Sequence, residues 1–202
     1  MKVIGLTGSI GMGKSTIAAK LGVLGVPVHD ADACVSCLLA PGGRAVKYVA
    51  RQFPDVVVSK KRSIDRQKLS DIIFADEAAR DRLEAILHPL VRAEQDKFLL
   101  KCRKMDQSIA VLDIPLLFEK GAEQRMDAVI CASAPGFIQA RRVLGRPDMT
   151  EERLNAILAT QMADVDKRRL SDYVIRTSRG RGAIIQDLKR IIRECTYARN
   201  CA

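Results

Sequence analysis

Gly8-Ser9-Ile10-Gly11-Met12-Gly13-Lys14-Ser15 fills every defined position of a G-x-x-x-x-G-K-S sequence. Glycines at 8, 11 and 13 let a backbone curl closely and aim successive N–H groups at one anion. The apolar run Val3-Ile4-Gly5-Leu6 before it, and Thr16-Ile17-Ala18-Ala19-Lys20-Leu21 after it, predict a strand, a turn and a helix. The positive N-terminal end of that helix then faces the same anion. In this setting Ser9, Ile10, Met12 and Thr16 complete the phosphate loop, Lys14 reaches the β- and γ-phosphates, and the Ser15 hydroxyl ligates Mg²⁺. The chemistry expected is binding of a nucleoside triphosphate. A dinucleotide site is excluded, although Asp30 and Asp32 stand near the right distance. Its glycines would run G-x-G-x-x-G, and it has no use for the Lys-Ser pair.

Phosphate loops serve ATPases, GTPases, transporters and small-molecule kinases. No guanine-reading N-K-x-D is present, and a motor needs more chain. A small kinase needs an acid to accept a hydroxyl proton, positive charge over the moving phosphoryl group, and an acceptor pocket. Asp32 ends the second apolar segment, where ligands of open α/β sheets gather. Asp30 and Asp32 can each be the base or the cap of the next helix. Arg142 and Arg146 lie four residues apart, on one face beside Gly145 and Pro147, as a closing lid or as an exposed stripe. Asp113 ends an apolar run as a carboxylate beside magnesium, or as a plain strand-end residue.

The elements positioning these groups alternate. Val26-Pro27-Val28-His29, Ser108 to Ile114, Ala128 to Ala132 and Tyr173-Val174-Ile175 read as strands. Helices follow over Ala33–Leu39, Ala45–Phe53, Phe137–Leu144, a segment capped by Thr150, and Gly182 to about Cys195. Asp76 caps a helical pattern that Pro89 should divide in two. Ser59 to Ser63 reads as a polar connection, and residues 196–202 as a frayed end. The fold class expected is α/β: a three-layer parallel sheet flanked by helices, of the P-loop NTPase type. A single domain spans 1–202, with a core of about 1–39, 106–136 and 171–195. It carries a helical acceptor-binding insertion of about 40–105 and a helical lid of about 137–170.

The 202 residues hold 4% aromatics and no Trp, so the core must rest on Ile, Leu, Val and Ala. No apolar run is long enough to span a membrane and no signal peptide is apparent, which predicts a cytoplasmic chain without a membrane partner. The net charge of +10 comes in separate groups, among them Lys60-Lys61-Arg62 and Lys167-Arg168-Arg169, without interleaved aromatics. A polyanionic small substrate and general surface basicity fit that pattern better than a specific nucleic-acid partner. A monomer is expected. Six dispersed cysteines are expected as free thiols; Cys34-Val35-Ser36-Cys37 lacks the second pair that zinc would require.

From residue 2 to about residue 195 the chain resembles the dephospho-CoA kinase family. The resemblance rests on Gly5 to Thr16, Asp30-Ala31-Asp32, and Leu83-Glu84-Ala85-Ile86-Leu87-His88-Pro89. It continues with Leu112-Asp113-Ile114-Pro115-Leu116-Leu117-Phe118-Glu119, Arg142-x-x-x-Arg146, Thr150-x-Glu152, Gln161 and Asp172-Tyr173-Val174-Ile175. It implies ATP- and Mg²⁺-dependent phosphorylation of the ribose 3′-hydroxyl of dephospho-CoA, the last step of coenzyme A synthesis. Asp32 would be the base; Lys14, Arg142 and Arg146 would stabilise the phosphoryl group. His88, Pro115, Leu116, Leu117 and Glu119 would shape the acceptor site. The chain departs from the family in Ser9, usually Gly, and in Arg176-Thr177-Ser178-Arg179-Gly180, where an Asn near 177 followed by Gly is usual.

Overall fold

The structure is a computed structural model and describes residues 1–58 and 63–197. In chain order it forms β1 (Lys2–Thr7), α1 (Lys14–Val23), β2 (Val28–Asp30), α2 (Ala31–Leu38), α3 (Val46–Gln52), β3 (Val57–Val58), β4 (Ser63–Ile64), α4 (Arg66–Ala75) and α5 (Glu77–Lys104). There follow β5 (Ile109–Asp113), β6 (Ala128–Ser133), α6 (Gly136–Leu144), α7 (Glu151–Ala159), α8 (Asp164–Leu170), β7 (Tyr173–Arg176) and α9 (Arg181–Tyr197).

These elements divide into two compact units, Met1–His29 with the chain from Cys102 onward, and Asp30–Lys101. The first is built on a five-stranded sheet of order β2-β5-β1-β6-β7. β1 pairs in parallel with β5 and with β6, and β6 with β7. Consecutive residues of β5 are buried, as they must be when helices cover both faces of a parallel sheet. Ile4 and Leu6, Ile109 and Val111, and Ile130 and Ala132 supply one face of the core, packed with Ile17 and Leu21 of α1 and Ile184, Leu188 and Ile191 of α9. Each fully buried aliphatic chain of this kind contributes about 1.5–3 kcal/mol. The core is aliphatic, as the scarcity of aromatics required.

The second unit gathers Leu38, Val49, Phe53, Leu69, Leu83 and Leu87 around a smaller core. The Asp76 carboxylate accepts from Ala78 N–H at 2.9 Å and so caps α5 as its residue type predicted. Pro89 does not divide the helix: α5 runs unbroken from Glu77 to Lys104 with Pro89 inside it. One missing N–H costs less than abandoning the buried face carried by Leu83 and Leu87 on the turns before it. Ser63 pairs with Val58 in a short antiparallel ladder rather than lying in a plain connection. The rest of that polar stretch, including Lys60-Lys61-Arg62, lies outside the described residues, as do residues 198–202 of the expected frayed end. Among the described residues, Cys34, Cys37, Cys102, Cys131 and Cys195 form no disulfide. Burial pushes the Cys131 thiol up to about 11, which keeps it protonated and inert.

Candidate active site

β1 ends at Thr7 and α1 starts at Lys14, so the glycine-rich sequence is the turn between a central strand and a helix. Gly11 and Gly13 take φ of +75° and +88°, in the left-handed region that only glycine enters without strain. A Cβ on Gly11 would lie 2.5 Å from Val143, and one on Gly13 would lie 2.9 Å from the Thr177 hydroxyl. Gly13 also stands at the N-cap of α1 without any side-chain cap; Thr16 N–H donates to Gly13 C=O at 3.1 Å, and the Lys14 and Ser15 amides before it meet no capping side chain. The Ser15 side chain is exposed at that end. This arrangement fits a polyphosphate.

The β1–β5 register sets Leu6 beside Asp113, so β5 delivers its terminal carboxylate next to the loop. Lys14 Nζ donates to Asp113 Oδ1 at 2.6 Å. Asp113 is only 3% exposed and Lys14 17%, so this pair is largely screened from water, where charge–charge interactions are strong.

The outer side of the loop is held by side chains. Gln139 Nε2 donates to Ile10 C=O at 2.8 Å, Arg142 Nη1 to Gly11 C=O at 3.2 Å, and the Thr177 hydroxyl to Met12 C=O at 2.7 Å. Gln161 Oε1 accepts from Ile10 N–H at 3.0 Å. Arg142 is therefore fastened to the loop rather than standing clear of it, and also donates to Thr177 Oγ1 at 2.9 Å. Arg146 lies beyond the end of α6 and is exposed.

After Asp113 the chain turns through Pro115 to Glu119. Pro115 C=O accepts from Thr7 Oγ1 and from Lys167 Nζ, both at 3.1 Å. Leu117 is fully buried and would touch any Cβ on Gly5 at 2.5 Å; Leu116 is half-buried. Glu119 Oε1 lies 2.8 Å from Lys167 Nζ and accepts from Met162 N–H at 2.8 Å. Burial alone would raise the Glu119 carboxyl, but the Lys167 ammonium and the Met162 amide hold it below the usual carboxylate range. Its second oxygen, Oε2, is buried without a hydrogen-bond partner among the described residues.

In the second unit, Asp30 Oδ1 accepts from Ala33 N–H at 2.9 Å and caps α2. The cap of α2 is thus taken by Asp30, while Asp32, the second residue of the helix, keeps an exposed carboxylate. His88 is exposed on α5, and its Nε2 lies 3.8 Å from Glu84. Glu84 lines a cavity of about 410 Å³ between apolar walls that include Leu39, Leu69, Ile73 and Leu83.

Three buried polar residues escaped sequence reasoning. Lys167 read as part of a surface basic cluster but is fully buried. Gln139 reads as one more polar position of an amphipathic helix. Thr177 follows the last strand directly, and nothing in the sequence indicated what it touches.

The dephospho-CoA kinase family profile matches residues 2–181. A dephospho-CoA kinase of Paramagnetospirillum magneticum is 57% identical over 168 residues, 83% of this chain and 78% of that one. That of Mesorhizobium japonicum is 51% identical over 96% of both chains. Among solved structures, TT1252 from Thermus thermophilus superposes with a TM-score of 0.81 at 34% identity, covering 96% of this chain and 97% of that one. With the phosphate loop, the Lys14–Asp113 pair and this likeness along nearly its whole length, the chain belongs to the dephospho-CoA kinase family.

Proposed function

We propose that this chain transfers the γ-phosphoryl group of ATP to the ribose 3′-hydroxyl of dephospho-CoA, giving coenzyme A and ADP. The observation that carries this reading is the Lys14 ammonium 2.6 Å from the strand-end carboxylate of Asp113, beside a turn whose glycines adopt backbone angles suited to a phosphate cradle.

Amides of the Gly8–Ser15 turn other than those of Ile10 and Met12, which donate to Gln161 and Ser9, would bind the triphosphate with the start of α1, and Lys14 would offset charge that accumulates on the transferring group. Ser15 and Asp113 would hold Mg²⁺, which neutralises phosphate oxygens when bound. Asp32 accepts the proton of the 3′-hydroxyl, and that oxygen forms a bond to the γ-phosphorus as the bond to the β–γ bridging oxygen breaks. ADP leaves. The commitment of Asp30 to the cap of α2 favours Asp32 for this task. Arg142, fixed against the loop, and Arg146, exposed after α6, add positive charge at the phosphoryl group. Gly145 and Pro147 flank Arg146 and suit a segment that moves to exclude water. The Pro115–Glu119 turn, including Leu116 and the buried anchor Leu117, would contribute acceptor contacts, and so would His88. The cavity beside Glu84 supports a binding role for the helical unit.

The test is an acceptor screen by ADP release with Mg²⁺ and ATP. Dephospho-CoA should be turned over, while adenosine, other nucleosides and shikimate should not. Turnover of one of those with none on dephospho-CoA overturns the assignment.

A further inference from the structure

A loop that points its amides inward must point its carbonyls outward, and buried carbonyls need donors. Here the outward carbonyls of Ile10, Gly11 and Met12 each receive one, from Gln139, Arg142 and Thr177. Gln139, Arg142 and Val143 share one face of α6, and Val143 is the residue against which Gly11 presses.

Thr177 joins these contacts. It is 7% exposed, directly after β7, and its N–H donates to Ser133 C=O at 2.9 Å, which continues the sheet pairing. Its hydroxyl donates to Met12 C=O and accepts from Arg142 Nη1, while its own carbonyl accepts from Arg142 Nη2 at 3.2 Å. One hydroxyl thus links the sheet, α6 and the loop directly behind Gly13. We propose that Thr177 is the positioning residue of the nucleotide loop: by holding Met12 C=O it fixes the Met12–Gly13 peptide, so that the Gly13 amide is aimed at phosphate before nucleotide arrives. This rests on the reading of the loop as an ATP site.

The sheet contact and the carbonyl contact of Thr177 are made by backbone, so Thr177→Val removes the hydroxyl alone. A buried carbonyl and a guanidinium N–H then lose their partner. MgADP affinity, measured by calorimetry, and KM for ATP should both worsen by roughly 10-fold or more. KM for dephospho-CoA should stay within about 2-fold, because the acceptor groups are untouched. Thr177→Ser keeps the hydroxyl and should restore nucleotide affinity to within about 3-fold. Wild-type MgADP affinity in Thr177→Val overturns the proposal. So does an equal loss in the Ser and Val variants, which would make the residue one of packing. Calorimetry with MgADP also separates this idea from the acceptor assignment: wild-type protein that binds nucleotide but does not phosphorylate dephospho-CoA defeats only the latter.

Discussion

Lys14 and Asp113 meet at 2.6 Å although 99 positions separate them in the chain. The parallel pairing of β1 with β5 brings them together, since the register that sets Leu6 beside Asp113 also brings the start of the loop to the strand's end. A paired ammonium and carboxylate thus arise from one hydrogen-bond ladder.

Asp113→Asn should cut kcat/KM by roughly 10–100-fold and raise the Mg²⁺ concentration needed for half-maximal rate, because a neutral amide neither attracts the cation nor offsets Lys14. Lys14→Met should lower kcat by about 10²–10³-fold, the usual loss for one electrostatic donor. Magnesium titrations of the initial rate check both; an unchanged Mg²⁺ requirement in Asp113→Asn would move the metal role elsewhere.

The two acids of Asp30-Ala31-Asp32 should separate cleanly. Removing the cap with Asp30→Ala should destabilise by about 1 kcal/mol. Asp32→Asn, at an exposed side chain, should leave thermal stability nearly unchanged while lowering kcat by roughly 10²-fold or more. Paired melting curves and turnover measurements decide it. Near-normal turnover in Asp32→Asn would return the base role to Asp30 or to water.

Glu119 ties stability to pH. Its carboxyl sits below the ordinary value of 4.5, so its contribution is complete above that value and is lost as pH falls through the lower folded one. Glu119→Gln leaves the fully buried Lys167 without its counter-charge, which should cost about 3–5 kcal/mol at neutral pH. It should also flatten the acid limb of the stability curve below pH 4.5. The double variant Glu119→Leu with Lys167→Met should recover much of the loss, since no lone charge remains. Urea unfolding from pH 7 down to about 3 gives both comparisons.

Pro89 inside α5 removes one helix hydrogen bond, and in a helix interior proline costs about 3 kcal/mol. Pro89→Ala should raise the melting temperature. A lowered melting temperature would mean that the pyrrolidine ring or the freed carbonyl is used elsewhere in the fold.

Much of this was legible in the sequence, because the relevant physics is local. The phosphate loop is recognised by its glycines, and all three, Gly8, Gly11 and Gly13, do adopt positive φ. The caps at Asp76 and Thr150 were readable because a short polar side chain before a helix has one obvious task. What escaped was set by distant partners. Nothing in Lys167-Arg168-Arg169 distinguishes the first residue from its neighbours until Glu119 and Pro115 arrive from across the fold. The Val57–Val58 and Ser63–Ile64 ladder is too short for a two-residue period to register. Pro89 misled because propensity weighs one lost hydrogen bond and cannot see the buried face that maintains the helix. Which of Asp30 and Asp32 caps α2 needed a hydrogen bond that only coordinates contain.

The central claim is the transfer itself. Incubating the protein with MgATP and dephospho-CoA, then analysing the acceptor by mass spectrometry with fragmentation, tests it most directly. The expected result is a mass gain of one phosphate located on the adenosine ribose, with ADP formed in equal amount. Unmodified dephospho-CoA from folded, nucleotide-binding protein would contradict it.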